Sequence, residues 1–486
     1  MKDSLWRERL QPEKALPDKE KEFSEWYSEI LERAELVDIR YNVKGFVVYR
    51  PNLMRIINLV KEELERGLTE NGHQQVMFPL VIPMSYLKKE EQHITGFEAE
   101  VFKLQIEEGE EELALRPTSE TAFYPMYSLW IHSYRDLPLK LFQTVTVYRK
   151  ETRATRPLIR GREFYWIEAH DAFKCKEEAL AQVSEDIEIT KEALRKLGLA
   201  FFVVEREEWD KFPGAERTYA FDCLMPDGRV LQIATTHYLG TKFSVPFEIM
   251  YLAEDGSRKN VHQTCFGPGI SRIAAAVIAV HGDEFGLVLP FDVAPTQIVV
   301  IPIPKEGQEK EVFEKSAEIG KRLRDIGLRT EVDNSDARPG AKFYRWELVG
   351  TPVRIEVGEK EVREGNLTFF RRDTRKRWKV REDRLEQEAL FLKQDILDHL
   401  TQKSMERMRN SMERVNDRTQ LLKACEEEKI VLMNFCCRAE CASELKEKTK
   451  GYEIRGRIVD AEEKVWAKCA WCGREAREVA VLARAF

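Results

Sequence analysis

Hydrophobic positions recur at helical spacing in the first part of the chain and then at strand spacing. The segments Glu22 to Ala34 and Leu53 to Leu68 carry apolar residues three and four positions apart, which predicts two amphipathic helices. Gln75 to Ile82 is predicted to be a strand, with Pro79 at an edge or a kink. Residues 1–15 lack such a pattern and are expected to be a loose extension.

The carboxyl half alternates strand and helix patterns after two prolines that bracket the connector Leu287 to Pro295. The elements predicted beyond this boundary are a strand at Gln297 to Ile303, a helix at Glu309 to Ile326, a strand at Arg329 to Asp333, a helix at Gly340 to Gly350 and a strand at Val353 to Val357. Alternation of this kind predicts a parallel-rich sheet. The charged stretch from Glu382 to Glu428 is predicted to be a long linker helix.

Length and composition indicate a globular protein of several domains. The chain has 486 residues and 43% hydrophobic content, so two to four domains are expected. No apolar run approaches the roughly 20 residues that cross a bilayer, and residues 1–21 lack the core of a signal peptide. We therefore expect a cytoplasmic protein that does not enter a membrane.

The net charge of −7 argues against indiscriminate nucleic-acid binding, so any RNA surface must be local. The segment Arg371 to Arg381 is strongly basic and contains Trp378. It is a candidate RNA-facing ribbon, with Arg371 and Arg372 as its first cations. The alternative is a solvated, charged strand edge that discourages aggregation.

Two stretches predict a hairpin with an arginine-rich tip. Val147-Tyr148-Arg149-Lys150-Glu151 precedes a short loop, and Arg160-Gly161-Arg162-Glu163-Phe164-Tyr165-Trp166-Ile167-Glu168-Ala169-His170 follows it. Aromatic and β-branched residues on both flanks predict strands. Because guanidinium groups grip phosphate with paired hydrogen bonds, the tip favours a polyphosphate ligand such as ATP. An exposed hairpin with ordinary salt bridges is the alternative.

A glycine-rich turn about a hundred residues downstream complements the hairpin. Thr264-Cys265-Phe266-Gly267-Pro268-Gly269-Ile270-Ser271-Arg272 leads into the apolar run Ile273 to Val280, which predicts a helix. The glycines allow close approach of a ligand to the backbone, and Arg272 could stack on an adenine ring. The combination is more specific than either half.

These two motifs resemble motifs 2 and 3 of the class II aminoacyl-tRNA synthetases, and Gly72 to Pro79 resembles motif 1. The strings Leu115-Arg116-Pro117-Thr118-Ser119-Glu120-Thr121 and Trp209-Asp210-Lys211-Phe212-Pro213-Gly214, together with the hairpin, resemble the prolyl-tRNA synthetase family of the archaeal and eukaryotic type. The resemblance runs from about residue 20 to the C-terminus.

The resemblance implies a reaction and a set of site residues. Proline is activated by ATP, with Mg²⁺, and is then transferred to tRNA(Pro); Arg149 and Arg272 are the expected catalytic residues. The expected proline-binding residues are Thr118, Glu120, Arg149, Trp166, Glu168, His170, Phe212 and His237. The expected ATP-binding residues are Arg149, Glu151, Arg160, Phe164, Gln232, Thr235 and Arg272. Gly96-Phe97-Glu98 resembles a lid over the amino acid, and the motif 1 elements imply a homodimer.

Cysteines cluster near the C-terminus. Two pairs, with spacings of four and of two intervening residues, fit a tetrahedral structural zinc site. The ligands we expect are Cys436, Cys441, Cys469 and Cys472, because Cys437 stands where the family usually has glycine. The alternative is a domain without metal whose cysteines are reduced.

The expected fold class is α+β multidomain. It comprises an antiparallel-sheet class II catalytic domain at residues 16–288, an α/β anticodon-binding domain at 289–382, a linker helix at 383–428 and a small α+β zinc-binding domain at 429–486, after the extension 1–15. Glu356 is expected to read a guanine edge of the tRNA, with a structural salt bridge as the alternative. The alternatives for function are an inactive paralogue that only binds RNA, or an enzyme for another amino acid such as threonine or serine.

Overall fold

A computed structural model describes residues 15–93, 101–105, 107, 109–305, 307, 309–461 and 463–486. The lid predicted at Gly96 to Glu98, and nearly all of the extension predicted at 1–15, lie outside the described residues. No helix in the described part of the chain has the length and apolar character needed to cross a membrane.

The described residues between 15 and 281 form most of an antiparallel sheet and the helices that cover it. The elements in chain order are α1 Phe23–Arg33, β1 Val37–Asp38, β2 Val48–Tyr49, α2 Pro51–Glu70, β3 Gln74–Gln75, β4 Val81–Pro83, α3 Met84–His93, β5 Leu113–Leu115, α4 Glu120–Trp130, a 3₁₀ turn Tyr134–Asp136, β6 Leu139–Tyr148, β7 Glu163–Phe173, α5 Lys176–Lys196, β8 Phe201–Glu205, β9 Arg217–Leu224, β10 Val230–Gly240, β11 Met250–Leu252, β12 Arg258–Asn260, β13 His262–Pro268 and α6 Ile270–His281.

The middle of the chain forms a separate five-stranded sheet in the order β15-β14-β16-β17-β18. Its elements are β14 Ile298–Ile303, α7 Glu309–Asp325, β15 Thr330–Val332, α8 Pro339–Leu348, β16 Val353–Gly358, α9 Glu359–Glu364, β17 Asn366–Arg371 and β18 Arg377–Arg381. The strands β15, β14 and β16 are parallel, as the alternating pattern predicts, while β17 and β18 are antiparallel.

The remaining elements are a 3₁₀ turn Glu382–Arg384, α10 Leu385–Ser411, β19 Met412–Val415, α11 Arg418–Glu426, β20 Ile430–Phe435, α12 Ala439–Lys448, β21 Tyr452–Ile458 and β22 Glu478–Arg484. The predicted linker helix therefore ends at Ser411 instead of Glu428. Met412–Val415 pairs with β20, and the Asp417 side chain accepts hydrogen bonds from the N–H groups of Thr419 and Gln420, which starts a new helix.

The C-terminal strands continue the catalytic sheet. The order is β19-β20-β22-β21-β8-β9-β10-β13-β7-β6-β3, eleven strands in all, and β21 pairs with β8 through Arg457 and Ile458. The carboxyl-terminal part of the chain is therefore bonded directly to the body that carries the predicted active site. The domain boundaries assigned from the sequence stay predictions.

The strand predicted at Gln75 to Ile82 is wrong as one element. Gln74–Gln75 pairs with β6 in the large sheet, while Val81–Pro83 pairs with β5 in a small one. Between them the Phe78 N–H donates to the Gln143 side chain at 2.9 Å, and Pro79 has no N–H to offer. The chain therefore leaves one sheet and enters another.

The helix α6 anchors the site to the core. All of its residues except Arg272 are buried, and it packs on the large sheet with α2, whose buried face is Leu53, Ile56, Ile57, Val60, Leu64 and Leu68. Burial of a leucine or isoleucine side chain stabilises the fold by about 1.5–3 kcal/mol. This packing fixes the start of α6, where the side chain of Arg272 projects from the helix toward the sheet.

Candidate active site

The arginine-rich hairpin is present as predicted. Strands β6 and β7 pair from Leu139 to Tyr148, and the Arg149 N–H extends the pairing by donating to the Arg162 carbonyl at 2.9 Å. The Arg149 guanidinium lies 5.1 Å from the centre of the Phe164 ring and 5.4 Å from that of Trp166, and its Nε donates to the Pro117 carbonyl at 3.1 Å.

Glu151 does not continue the strand. Its N–H donates to the Arg149 carbonyl at 2.7 Å, which turns the chain just past β6. A strand that continued to Glu151 would project Arg149 and Glu151 from the same face, but β6 ends at Tyr148 and both residues lie at the hairpin tip. Their proximity arises from this turn.

Arg272 approaches the same cleft from the start of α6. Its Nε donates to the Ile159 carbonyl and its Nη1 to the Gln232 carbonyl, both at 3.0 Å. Burial, and then the positive charges of Arg149 and Arg160, lower the pKa of Arg272 to about 10. Arg149 and Arg160 are therefore close enough to Arg272 to repel it, and three cations near one another favour an anionic ligand.

Arg149 is close enough both to Arg272 and to a group of carboxylates to interact with their charges. Its side chain is open to solvent in the cleft, yet the surrounding protein still removes enough water to lower its pKa. The charges of Glu120, Glu168 and Glu151 oppose that shift. A cation in this position can contact a carboxylate ligand on one side and a phosphate on the other.

A row of three side chains crosses neighbouring strands beneath this cleft. The register pairs His170 on β7 with Cys265 on β13, and Cys265 with His237 on β10. Burial, and then the charge of His170, lower the pKa of His237 to about 3, so this imidazole is neutral. Its Nδ1 lies 3.0 Å from the Thr218 hydroxyl.

Hydrogen bonds orient the acidic end of the pocket. The Thr118 hydroxyl and the Cys265 thiol donate to the two oxygens of Glu120, the thiol at 3.6 Å. His170 Nε2 lies 3.4 Å from Glu168. Burial alone would lower the pKa of His170, but Glu168 and Glu120 outweigh it and raise the pKa.

Aromatic side chains complete the pocket. The Phe212 ring lies 4.8 Å from His237, and Phe164 meets Trp166 edge to face at 5.5 Å. Among the described residues, the buried Trp166 Nε1 and Glu168 Oε1 have no hydrogen-bond partner. A buried polar atom without a partner is destabilising, so a ligand or a water that contacts them would stabilise the site.

A bulge brings the remaining nucleotide-site candidates to this face. The pairing of β10 with β9 shifts between Gln232 and Ala234, which adds one residue to β10. Because successive side chains alternate between faces, the extra residue returns Thr235 and His237 to the face that Gln232 occupies. The structure thus brings Gln232 and Thr235 onto the ligand-facing side of the sheet.

The predicted tRNA contacts require correction. Arg371 is buried and bonds to Asp373 and Asp395, while Arg372 is fully buried and bonds both oxygens of Asp283. Neither arginine presents a free guanidinium to solvent, so the prediction that they form an exposed RNA-facing ribbon is wrong. Their position next to acidic groups stabilises the domain instead.

Glu356 forms the structural salt bridge that was the alternative to base reading. Its carboxylate accepts from Arg354 at 3.0 Å and from Arg377 at 2.9 Å, and the residue is buried. Arg354 is held between the rings of Phe343 and Phe370, each 4.0 Å away. The exposed cations of the ribbon are Arg375 and Lys376, which precede β18, and Arg377, Lys379 and Arg381 on β18 itself.

The four predicted zinc ligands converge. The sulfur atoms of Cys436, Cys441, Cys469 and Cys472 all lie within 4.8 Å of one another, with 3.7 Å between Cys472 and Cys436 and 3.9 Å between Cys441 and Cys469. Four sulfurs placed tetrahedrally about 2.3 Å from zinc would be about 3.8 Å apart, so the cluster fits this ion. Cys437 has φ of +55°, a conformation that favours the glycine usual there.

Sequence reasoning missed two residues of the pocket. Cys265 contacts Glu120, and the Tyr124 hydroxyl lies 3.2 Å from His170 Nδ1. The sequence position of Cys265, inside the glycine-rich motif and two residues from Gly267, was a usable signal. Tyr124 lies on α4 and carried no motif, so only the fold reveals its contact.

Comparison with known proteins defines the class and then the family. The models for the tRNA synthetase class II core domain (G, H, P, S and T), the anticodon binding domain and the prolyl-tRNA synthetase C-terminal domain match residues 102–281, 297–390 and 419–486. With its antiparallel sheet and facing arginines, the chain is a class II aminoacyl-tRNA synthetase.

Proline–tRNA ligases from Thermofilum pendens and Methanopyrus kandleri are 50% and 44% identical to the chain, over 96% of its length and 98% and 96% of theirs. A Giardia lamblia prolyl-tRNA synthetase in complex with prolyl-adenylate superposes with a TM-score of 0.91 at 34% identity, covering 96% of this chain and 99% of that one. The chain belongs to the prolyl-tRNA synthetase family, in its archaeal and eukaryotic form.

Proposed function

We propose that the protein joins L-proline to tRNA(Pro) through a prolyl-adenylate. The observation that carries this proposal is the position of Arg149, whose Nε donates to the Pro117 carbonyl at 3.1 Å and whose guanidinium is close enough to Glu120, Glu168 and Arg272 to interact with their charges. Proline carries a secondary ammonium and a carboxylate. Glu120 and Glu168 suit the ammonium, and Arg149 suits the carboxylate beside the α-phosphate of ATP.

The first step needs no general base, because the attacking carboxylate is already an anion. One carboxylate oxygen of proline forms a bond to the α-phosphorus as the bond from that phosphorus to the pyrophosphate oxygen breaks. The protein contributes position and positive charge, supplied by Arg149, Arg160 and Arg272. Phe164, Gln232 and Thr235 are proposed to hold the nucleoside, and Trp166, Phe212 and His237 the ring of proline.

Mg²⁺ is proposed to arrive with ATP. This ion keeps several waters and binds mainly through substrate phosphates, so it does not require a dedicated protein cage. Among the described residues, no group of three or more His, Cys, Asp and Glu side chains that could hold a metal ion includes Glu151 at the hairpin tip. The ion is therefore proposed to be held mainly by the phosphates of ATP.

The proposal is tested by amino-acid-dependent exchange of pyrophosphate into ATP, which requires no tRNA. We expect exchange with proline, and with alanine or cysteine only at a low level, because an apolar pocket separates substrates that differ by one methylene roughly 10–200-fold. Exchange with threonine or serine but not proline would contradict the assignment. An absence of exchange in folded protein would favour the inactive RNA-binding paralogue. The sequence argues against that alternative, because the proposed nucleotide-binding residues Arg149, Glu151, Gln232 and Arg272 are all present.

The exposed face of β18 is proposed as part of the tRNA surface. Arg377, Lys379 and Arg381 alternate with the half-buried Trp378 and the buried Val380, and their side chains are 52%, 51% and 70% exposed. They replace Arg371 and Arg372 in this role. Salt bridges to Glu356, Glu361 and Asp383 hold them in a row without burying them.

Replacing Lys379 and Arg381 with glutamine should weaken tRNA binding while proline-dependent exchange stays unchanged. Each lost phosphate contact reduces the slope of log affinity against log salt by about 1. The measurement is tRNA affinity at several salt concentrations. Lys310→Gln, which removes an exposed cation from α7 of the same domain, is the matched control. Equal salt slopes for all variants would contradict this surface.

A homodimer is proposed, formed around the motif 1 region. Met77 is 89% exposed, and Leu80, Tyr86, Leu129 and Trp130 add further exposed apolar surface nearby. Exposed apolar patches of this kind mark protein interfaces. We also infer a cytoplasmic location, because the substrates proline and tRNA meet there.

Met77→Arg should shift the protein toward the monomer. Burying an unpaired charge in an interface weakens association by about 3 kcal/mol, which is roughly 100-fold in the dissociation constant. Light scattering after gel filtration, at a series of protein concentrations, measures the effect. Val245→Arg, at another exposed apolar position, should leave the mass unchanged. Identical behaviour of both variants would place the interface elsewhere.

Zinc is proposed to occupy the four-cysteine cluster. Four thiolates would fill every position of a tetrahedral ion and leave none for substrate, so the metal would stabilise the carboxyl-terminal domain. Cytosolic disulfides are disfavoured, which supports metal as the partner of these cysteines.

A further inference from the structure

A buried carboxylate joins the carboxyl-terminal domain to the catalytic sheet. Asp222 lies on β9 with no exposed side-chain surface, and two guanidinium groups surround it. Arg455, on β21, donates its Nε to Asp222 Oδ2 at 2.8 Å and its Nη2 to Oδ1 at 3.1 Å. Arg206 donates to the same oxygens from the catalytic side, at 3.4 Å to each.

The same arginine reaches the candidate nucleotide site. Arg206 Nη2 donates to Gln232 Oε1 at 2.7 Å, and Nη1 donates to the Arg455 carbonyl at 3.0 Å. Gln232 lies directly across from Asp222 in the pairing of β10 with β9. The Gln232 carbonyl in turn accepts from Arg272 at 3.0 Å. Hydrogen bonds thus link Arg455, Asp222, Arg206 and the Gln232 side chain, and a further bond joins the Gln232 backbone carbonyl to Arg272.

The charges of Arg455 and Arg206 keep the buried Asp222 carboxylate ionised. Burial alone would raise the pKa of Asp222, but Arg455 and Arg206 outweigh it and lower the pKa. The carboxylate therefore stays charged, and its field also reaches Arg272. A buried carboxylate that loses one of its cations is strongly destabilised. Arg206 would then be free to move toward Asp222 and away from Gln232.

We propose that Arg455 is a positioning residue for the nucleotide: by holding Asp222 it fixes Arg206, and through Arg206 it fixes the side chain of Gln232. This inference rests on the proposed function, because it assigns the effect to ATP. The proline pocket is held by a separate set of bonds, from Thr118 to Glu120 and between His170 and Glu168. Loss of Arg455 should therefore alter the nucleotide side selectively.

The test is pyrophosphate exchange with ATP and proline varied in turn. Arg455→Met should raise the KM for ATP about tenfold and change the KM for proline less than about threefold. Arg455→Lys, which keeps the charge but not the paired bonds, should lie between wild type and Arg455→Met. Arg457→Met is the matched control, since Arg457 lies on the same strand and pairs with Glu205 at the surface. It should leave both constants unchanged.

A second comparison separates positioning from general destabilisation. If Arg455 acts through Gln232, Arg455→Met should add little to the KM for ATP once Gln232 is alanine, because the two residues act in one chain. Full additivity, or equal increases in both KM values, would overturn the proposal. If Arg455→Met does not fold, the folded Arg455→Lys protein provides the test. An unchanged KM for ATP in that variant would also overturn the proposal. Wild-type protein without proline-dependent exchange would instead refute the proposed function.

Discussion

Replacing Arg149 with methionine should lower the rate of proline-dependent pyrophosphate exchange by about 10³-fold. Charge accumulates on the α-phosphate as the proline carboxylate attacks, and Arg149 lies where both groups are expected to meet. The shift in its pKa shows that the site removes water from this cation. Its interaction with a developing negative charge is therefore stronger than it would be in water.

Arg153 provides the matched control for Arg149. It lies in the same loop, is exposed, and its N–H donates to Glu151 at 2.9 Å. Arg153→Met should keep exchange within about threefold of wild type, because in the described part of the chain Arg153 is bonded only through its backbone N–H, whereas the Arg149 guanidinium is held against Phe164, Trp166 and the Pro117 carbonyl. Arg149→Lys should fall between wild type and Arg149→Met because it keeps the charge without the paired geometry. An Arg149→Met protein that stays folded and within tenfold of wild-type activity would contradict the assignment.

Much of the active site could be predicted because local patterns determine it. The hairpin β6–β7 follows from alternating aromatic and β-branched residues, and α6 follows from the apolar run after Gly269. Once β7 and β13 are neighbours, alternation places His170 and Cys265 on one face. The sequence therefore indicates which side chains face the ligand wherever a strand is regular.

Irregular features were not predictable in this way. The bulge between Gln232 and Ala234 moves the side chains that follow it on β10 to the opposite face of the sheet from the one that regular alternation predicts. The local composition gives no sign of this bulge. Strand β19 was missed because Met412–Val415 is as rich in charged residues as α10 before it. The pairing of this strand with β20 depends on residues farther along the chain. Tertiary contacts override local preference at both positions.

The error at Arg371 and Arg372 has a related cause. A run of cations in sequence predicts an exposed basic face only if acidic partners are absent. One partner of Arg371, Asp373, is adjacent in sequence, but the other partners of these two arginines lie far along the chain. Asp395 is on α10, and Asp283 follows α6. The candidates that we propose in their place, Lys379 and Arg381, differ from Arg372 in exposure and not in charge. Composition alone cannot separate them.

Removing metal from the four-cysteine cluster should destabilise the carboxyl-terminal domain by several kcal/mol, since structural zinc contributes its binding free energy to folding. Three of the four cysteines are buried. The spacing of the four sulfurs suits deprotonated thiolates around a zinc ion, whose positive charge offsets their mutual repulsion. Because β20, β21 and β22 continue the catalytic sheet, we expect the loss to lower the unfolding temperature of the whole protein.

Cys472→Ser and Cys437→Ser form a matched pair for this prediction, since both cysteines lie near the cluster but only Cys472 belongs to it. Cys472→Ser should reduce zinc from about one ion per chain, measured by mass spectrometry under native conditions, and lower the unfolding temperature. Cys437→Ser should keep the zinc, because its sulfur faces Glu207 and Glu478 instead. Equal metal content in the two variants would exclude Cys472 as a ligand. A wild-type protein that contains no metal would instead support the alternative, a domain without metal whose cysteines are reduced.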